Sequence, residues 1–149
     1  MVILFDLDDT LVDHSTALRA ATETLHKSVD SSLPLERFSV AWTASHRKNF
    51  DLYLAGALSY DAQRRARVRE TIDPTLSDEA ADQVFATYLA GYEAAWSLFS
   101  DVQGCLDNLS RYRLGVVSNG QAHQQRMKLQ RTGTRRPRAS STQIWSDGS

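Results

Sequence analysis

One cysteine, three prolines and seven glycines are all that this 149-residue sequence holds of the residues that staple or punctuate a chain. The lone Cys105 has no partner for an internal disulfide, which excludes a disulfide-held scaffold and fits a reducing, cytoplasmic setting. Its neighbours Val102, Leu106 and Leu109 predict a small core hydrophobe rather than a reactive thiol. No apolar run approaches the length of a bilayer span. The N-terminus meets an acid at its sixth residue and lacks basic flanks, so no membrane association and no signal peptide are expected. His14, His26, His46 and His123 have no partners at metal-ligand spacing. Net charge is also nearly absent, at −1, but it is unevenly spread. Six basic residues after position 123 (Arg126, Lys128, Arg131, Arg135, Arg136, Arg138) face a single acid, Asp147, which leaves an acidic body. An acidic body, and a basic tail whose only aromatic is Trp145, argue against nucleic acid as a partner.

What is present is ordinary for a globular protein, with 42% hydrophobic and 23% charged residues and a length sufficient for a real core. The informative stretch is the first thirteen residues, Met1 to Asp13. Val2 to Phe5 form a short apolar run of the kind a strand covered on both faces can have. It stops on Asp6, Asp8 and Asp9. Alternation along an extended chain sends Asp6 and Asp8 to one side and Leu7 to the other. Two carboxylates that close repel, and a shared hard cation, Mg2+ by its preference for oxygen, would keep both ionised. The same acids also suit a plain strand-to-helix turn, with Asp13 or Ser15 capping the helix that follows.

Asp6-Leu7-Asp8-Asp9-Thr10-Leu11 resembles the first motif of the haloacid dehalogenase (HAD) superfamily, DxDxT and an apolar residue. The resemblance implies Asp6 as a nucleophile that carries a phosphoryl group and Asp8 as general acid/base, an acid that places the chain with the phosphatases rather than the dehalogenases. It further implies Mg2+ on Asp6 and Asp8, with Thr10 close to the phosphate. The substrate class would be a small phosphorylated metabolite. The implied fold is α/β, a HAD-like Rossmannoid parallel sheet with an inserted all-helical cap.

Leu18, Ala21, Leu25 and Val29 predict an amphipathic helix over about 14–29; Phe38, Ala41, Trp42 and Ser45 share a face of a second. A third, near Tyr60 to Ile72, carries Arg64, Arg65, Arg67 and Arg69, which read as a solvated face with Arg67 pairing Glu70, or else as an anion contact. Ser77 with Asp78 and Glu79 starts a fourth, whose stripe is Val84, Phe85, Tyr88, Leu89 and Tyr92. Residues 14–98 thus form the helical cap, and 1–13 with 99–133 the core, of which only part is legible. Leu114 to Val117 read as a second buried strand ending on Ser118-Asn119-Gly120, which resembles the second HAD motif. There Ser118, Asn119 and Gly120 would hold phosphoryl oxygens by hydroxyl and backbone N–H. An amide-rich basic helix follows and stops at Gly133.

The resemblance covers residues 1–133. The third-motif lysine and fourth-motif acid of the family have no obvious counterpart in 134–149, where neither helix nor strand period survives. Lys128 lies too soon after Ser118 to match the lysine, and Asp147 is a poor match for the acid. The expectation is a shortened HAD chain with an irregular basic tail, weak or inactive as a hydrolase. Val2 to Phe5 would then be an exposed sheet edge open to self-pairing. The alternative function is a non-catalytic remnant that binds a partner or a second copy.

Overall fold

The computed structural model describes residues 1–134 and 144–145. The chain divides into two compact units, one made of Met1–Ala17 with the chain from Trp96 onward, the other of Leu18–Ala95. Each follows from its own sequence pattern.

The first unit is built on a parallel sheet of β1 (Val2–Phe5), β2 (Arg113–Val117) and β3 (Ile144–Trp145), in that spatial order. Val2 pairs with Arg113 and Phe5 with Val116, while Val116 and Val117 pair onward with Ile144 and Trp145. β2 is therefore central, and its Leu114, Gly115 and Val116 are buried. β1 alternates instead. Ile3 and Phe5 pack on the core formed by Leu7, Leu11, Val12, Val102, Leu106, Leu114 and Val116, but Val2 and Leu4 are each 56% exposed. The strand covered on both faces is thus corrected to one covered on a single face among the described residues, at the sheet edge. The tail is also not wholly irregular, since Ile144 and Trp145 form β3; its other residues past Thr134 lie outside the described ones.

After β1 the backbone folds into a tight turn in which the Leu7 carbonyl accepts from the N–H groups of Leu11 and Val12. Asp9 takes a positive φ of 56°, a conformation that Asp tolerates better than most residues. Its carboxylate accepts from Ser15 N (2.7 Å) and Ser15 Oγ (2.8 Å). Asp13 accepts from Thr16 N and so caps α1 (His14–Ser28). The segments running into and out of the second unit are tied together: Phe99 N donates to Leu11 O, Asp13 N donates to Ser97 O, and Val12 bridges Leu98. α5 (Val102–Asn108) buries Val102 and Leu106. Cys105, expected in the core, is exposed, because it falls one residue off that face.

The second unit holds the greater part of α1 with α2 (Leu35–Leu54), α3 (Tyr60–Thr71) and α4 (Asp78–Ala94). The periodic residues make its core: Ala21, Leu25, Phe38, Trp42, Val68, Ala81, Phe85, Tyr88 and Tyr92. Trp42 stacks on Phe38 and meets Tyr88 edge-on. A Cβ on Gly91 would lie 3.0 Å from Thr24 Cβ, so this glycine serves close helix approach. Ser59 and Ser77 cap α3 and α4 through Ala62 N and Ala80 N.

The arginine run is not a solvated face. Arg65 bonds both Asp78 and Asp82, and Arg69 bonds Asp78. Arg67 is buried between rings, 3.8 Å from the Trp42 centroid and 4.8 Å from that of Tyr88, and its Nε donates to Trp42 O. Glu70, expected to pair with Arg67, instead accepts from Lys48, Ser45 and Asn49.

Candidate active site

The parallel register puts the carboxyl ends of β1 and β2 side by side, the place where open α/β sheets carry their ligands. Between these ends lies an open cleft of about 500 Å3 lined by Leu4, Phe5, Asp6, Asp8, Val117, Ser118, Asn119 and Gly120. Five of the residues singled out in the sequence, Asp6, Asp8, Ser118, Asn119 and Gly120, therefore meet in one cleft. Leu7, between the two acids, is fully buried, as alternation requires. Thr10 is exposed and not part of the lining; it reaches the site only through Asp6, its Oγ1 standing 3.5 Å from Asp6 Oδ2.

Asp6 and Asp8 are held differently. Asp6 is exposed. Both oxygens of Asp8 accept bonds from α6 (Ala122–Arg131): Oδ2 from Gln125 Nε2 at 2.9 Å and Oδ1 from Lys128 Nζ at 2.5 Å. His14 Nδ1 lies 3.7 Å from Asp8 Oδ1. Burial pushes the Lys128 ammonium below its ordinary value against the pull of Asp8, and burial lowers His14 with Asp8 again opposing. For Asp9, burial works upward, but the Ser15 bonds outweigh it and hold the carboxyl below its usual range. Asp9 and Asp13 are thus structural, and Asp6 and Asp8 face the cleft.

Ser118 is buried, and its Oγ accepts from Gln125 Nε2 (2.7 Å) and from Gly120 N (3.3 Å). With those lone pairs engaged, the hydroxyl proton is the group left to give to a ligand oxygen. The Gln125 amide cannot be flipped without turning its oxygen onto the Asp8 carboxylate, so its donor side is fixed by its neighbours.

Gln125 and Lys128 were not legible as site residues; Lys128 in particular stands too early for the third-motif lysine, yet it lies on Asp8. The signal was there in another form. Met127 and Leu129 are the only large apolar residues of α6, so a helix packed on the sheet had to bury polar side chains, and Gln125 and Lys128 sit three apart on one face.

The donor set does not fit a magnesium ion shared by Asp6 and Asp8. Magnesium demands six oxygens in near-octahedral array, while both Asp8 oxygens are taken by N–H donors and Lys128 already supplies a positive charge beside them. No group of three His, Cys, Asp or Glu side chains able to hold a metal occurs among the described residues. The arrangement seen is that of an acid pair neutralised by Lys128 rather than by a shared ion.

A family model described as haloacid dehalogenase-like hydrolase matches residues 1–144, running past Gly133 through the start of β3. Among curated proteins none matches. Of solved structures, YfnB of Bacillus subtilis, described as a HAD-hydrolase bound to magnesium, aligns with 97% of this chain and 62% of its own at a TM-score of 0.75 and 19% identity. The defluorinating L-2-haloacid dehalogenase Rha0230 aligns with 97% and 59%, at 0.64 and 20%. The L-2-haloacid dehalogenase of Xanthobacter autotrophicus aligns with 97% and 56%, at 0.62 and 15%. At such identities these likenesses speak for the fold alone, and the chain spans about three fifths of the length of each.

Proposed function

The chain belongs to the haloacid dehalogenase-like hydrolases, and from that premise we propose that its cleft hydrolyses small phosphomonoesters through an aspartyl-phosphate on Asp6. The observation that carries this reading is the meeting of two carboxylates with the Ser118 hydroxyl at the carboxyl ends of adjacent parallel strands. Asp6, exposed to the cleft, attacks phosphorus, and the ester P–O bond breaks. Asp8 gives its proton to the departing alkoxide, then takes one from the water that cleaves the acyl phosphate. The arrangement seen, with both Asp8 oxygens accepting, matches the carboxylate half of that cycle. Ser118 Oγ–H and the backbone N–H of Asn119, at the mouth of α6, are suited to hold phosphoryl oxygens, while the Gly120 N–H is engaged by Ser118 Oγ. The second carboxylate favours this chemistry over dehalogenation.

The magnesium dependence that the family resemblance implies finds no matching donor set among the described residues. The test is release of inorganic phosphate from an aryl phosphate, with added Mg2+ and with a chelator, by wild type and Asp6→Asn. We expect phosphate release by the wild type, and a loss of at least about a hundredfold in Asp6→Asn, the scale of removing a covalent nucleophile. Turnover surviving in Asp6→Asn would end the reading.

A second reading has its own support. The open β1 edge, with Val2 and Leu4 exposed, suits a non-catalytic protein that pairs with a partner or a second copy. A folded, inactive, stable oligomer in sedimentation would favour it. No helix among the described residues is long and apolar enough to cross a membrane, and a cytoplasmic place remains part of the proposal.

A further inference from the structure

The proposed reaction uses Asp8 and Ser118, which belong to loops after different strands, and one helix face ties these two loops together. Gln125 Nε2 bridges Asp8 Oδ2 and Ser118 Oγ, residues on opposite sides of the sheet pairing, and Lys128 Nζ binds the other Asp8 oxygen. Gln125 and Lys128 are both 1% exposed, so neither is a surface side chain settling on a convenient acid. The site also has a cradle for the bridge: a Cβ on Gly120 would overlap Gln125 Nε2 and lie 2.7 Å from its Cδ. Gly120 thus leaves the space that the amide fills.

Resting on the phosphatase reading, we propose that Gln125 and Lys128 are positioning residues, a two-point clamp from α6 that fixes the plane of the Asp8 carboxylate and the rotamer of Ser118 against each other. A carboxylate on a turn has two free torsions. Donors at both of its oxygens, carried by a single helix, remove that freedom. The same amide occupies the Ser118 oxygen as a donor and thereby turns its hydroxyl into a donor toward the ligand. Lys128 adds charge to geometry: an ammonium out of water is costly unless paired, so Lys128 and Asp8 hold each other in place. Neither residue touches the phosphoryl group in this arrangement; both act through Asp8 and Ser118.

Two double-mutant cycles on the full chain, read by urea unfolding, test the clamp without requiring turnover: Lys128→Met with Asp8→Asn, and Gln125→Leu with Ser118→Ala. Each pair is expected to deviate from additivity by about fivefold or more in the folding equilibrium constant, the range for residues in direct contact. The second cycle stands by itself if Lys128→Met fails to fold. On an aryl phosphate, Gln125→Leu and Lys128→Met are expected to lower kcat by about tenfold or more with KM changed far less, and Lys128→Arg to restore part of the loss, as for groups that orient the reacting acid. Additive cycles overturn the clamp whatever the turnover. Coupled cycles with kcat unchanged in Gln125→Leu overturn its part in the reaction. Coupled cycles in a wild type with no phosphate release sustain the clamp and sink the phosphatase reading instead.

Discussion

One peptide unit on either side of Leu7 separates two acids with opposite fates. Asp6 is presented to solvent, while Asp8 is gripped by a buried amide and a buried ammonium. The strongest residue-scale consequence concerns a residue with no side chain. Gly120→Ala must displace the Gln125 amide from its bonds to Asp8 and Ser118. Overpacking of this kind costs about 1–3 kcal/mol, measurable as a lower urea midpoint, and the variant should also release phosphate more slowly than wild type. The two motif segments were legible because their information is local: a strand, alternation and closely spaced acids or turn residues specify which side chains share a side. Gln125 and Lys128 were not, because a polar residue on a polar helix looks solvated until the surface it packs against is known. Cys105 fails for the converse reason, an apolar-looking neighbourhood with the residue one step off the buried face.

At the scale of elements, α1 and α3 lie close to the ranges that periodicity gave, and α4 starts at the Ser77 cap, since those signals lie within each helix. Pairing between helices was less legible. The arginines of α3 bond acids at the start of α4, and Glu70 turns to α2. That last cluster has a pH signature. Burial pushes the Glu70 carboxyl up, but bonds from Lys48, Ser45 and Asn49 outweigh it and hold it below its ordinary value. The unfolded chain then binds this proton more readily than the folded one, so the contribution is present above the ordinary carboxylate value and is lost as pH falls through the folded one. In melts followed by circular dichroism, Glu70→Gln should melt lower than wild type near neutrality. The two curves should converge as the pH falls through the folded value, which lies below the ordinary glutamate one. The partial exposure of Glu70 keeps the difference small.

For the whole molecule, β1 lies at an edge of the sheet among the described residues, as expected for a shortened chain. β3 was not legible, because two residues carry no periodicity and gain their identity from pairing with Val116 and Val117. The open edge leads to a solution property. Light scattering across a concentration series should show self-association, reduced by Val2→Lys, whose charge on an exposed edge position disfavours strand addition. The tie between the segments around Val12 and Leu98 has a different consequence, best stated as polymer physics. Asp8 and Gln125 stand 117 residues apart along the chain, yet most of that contour is bypassed where Asp13 N donates to Ser97 O. Once that knot is formed, the effective loop linking the two halves of the cleft is short, and each doubling of the excluded contour adds only about 0.6 kcal/mol to its closure. Lengthening or shortening the helical segment is therefore nearly free for the closure of the sheet, which lets the two stretches of sequence change independently.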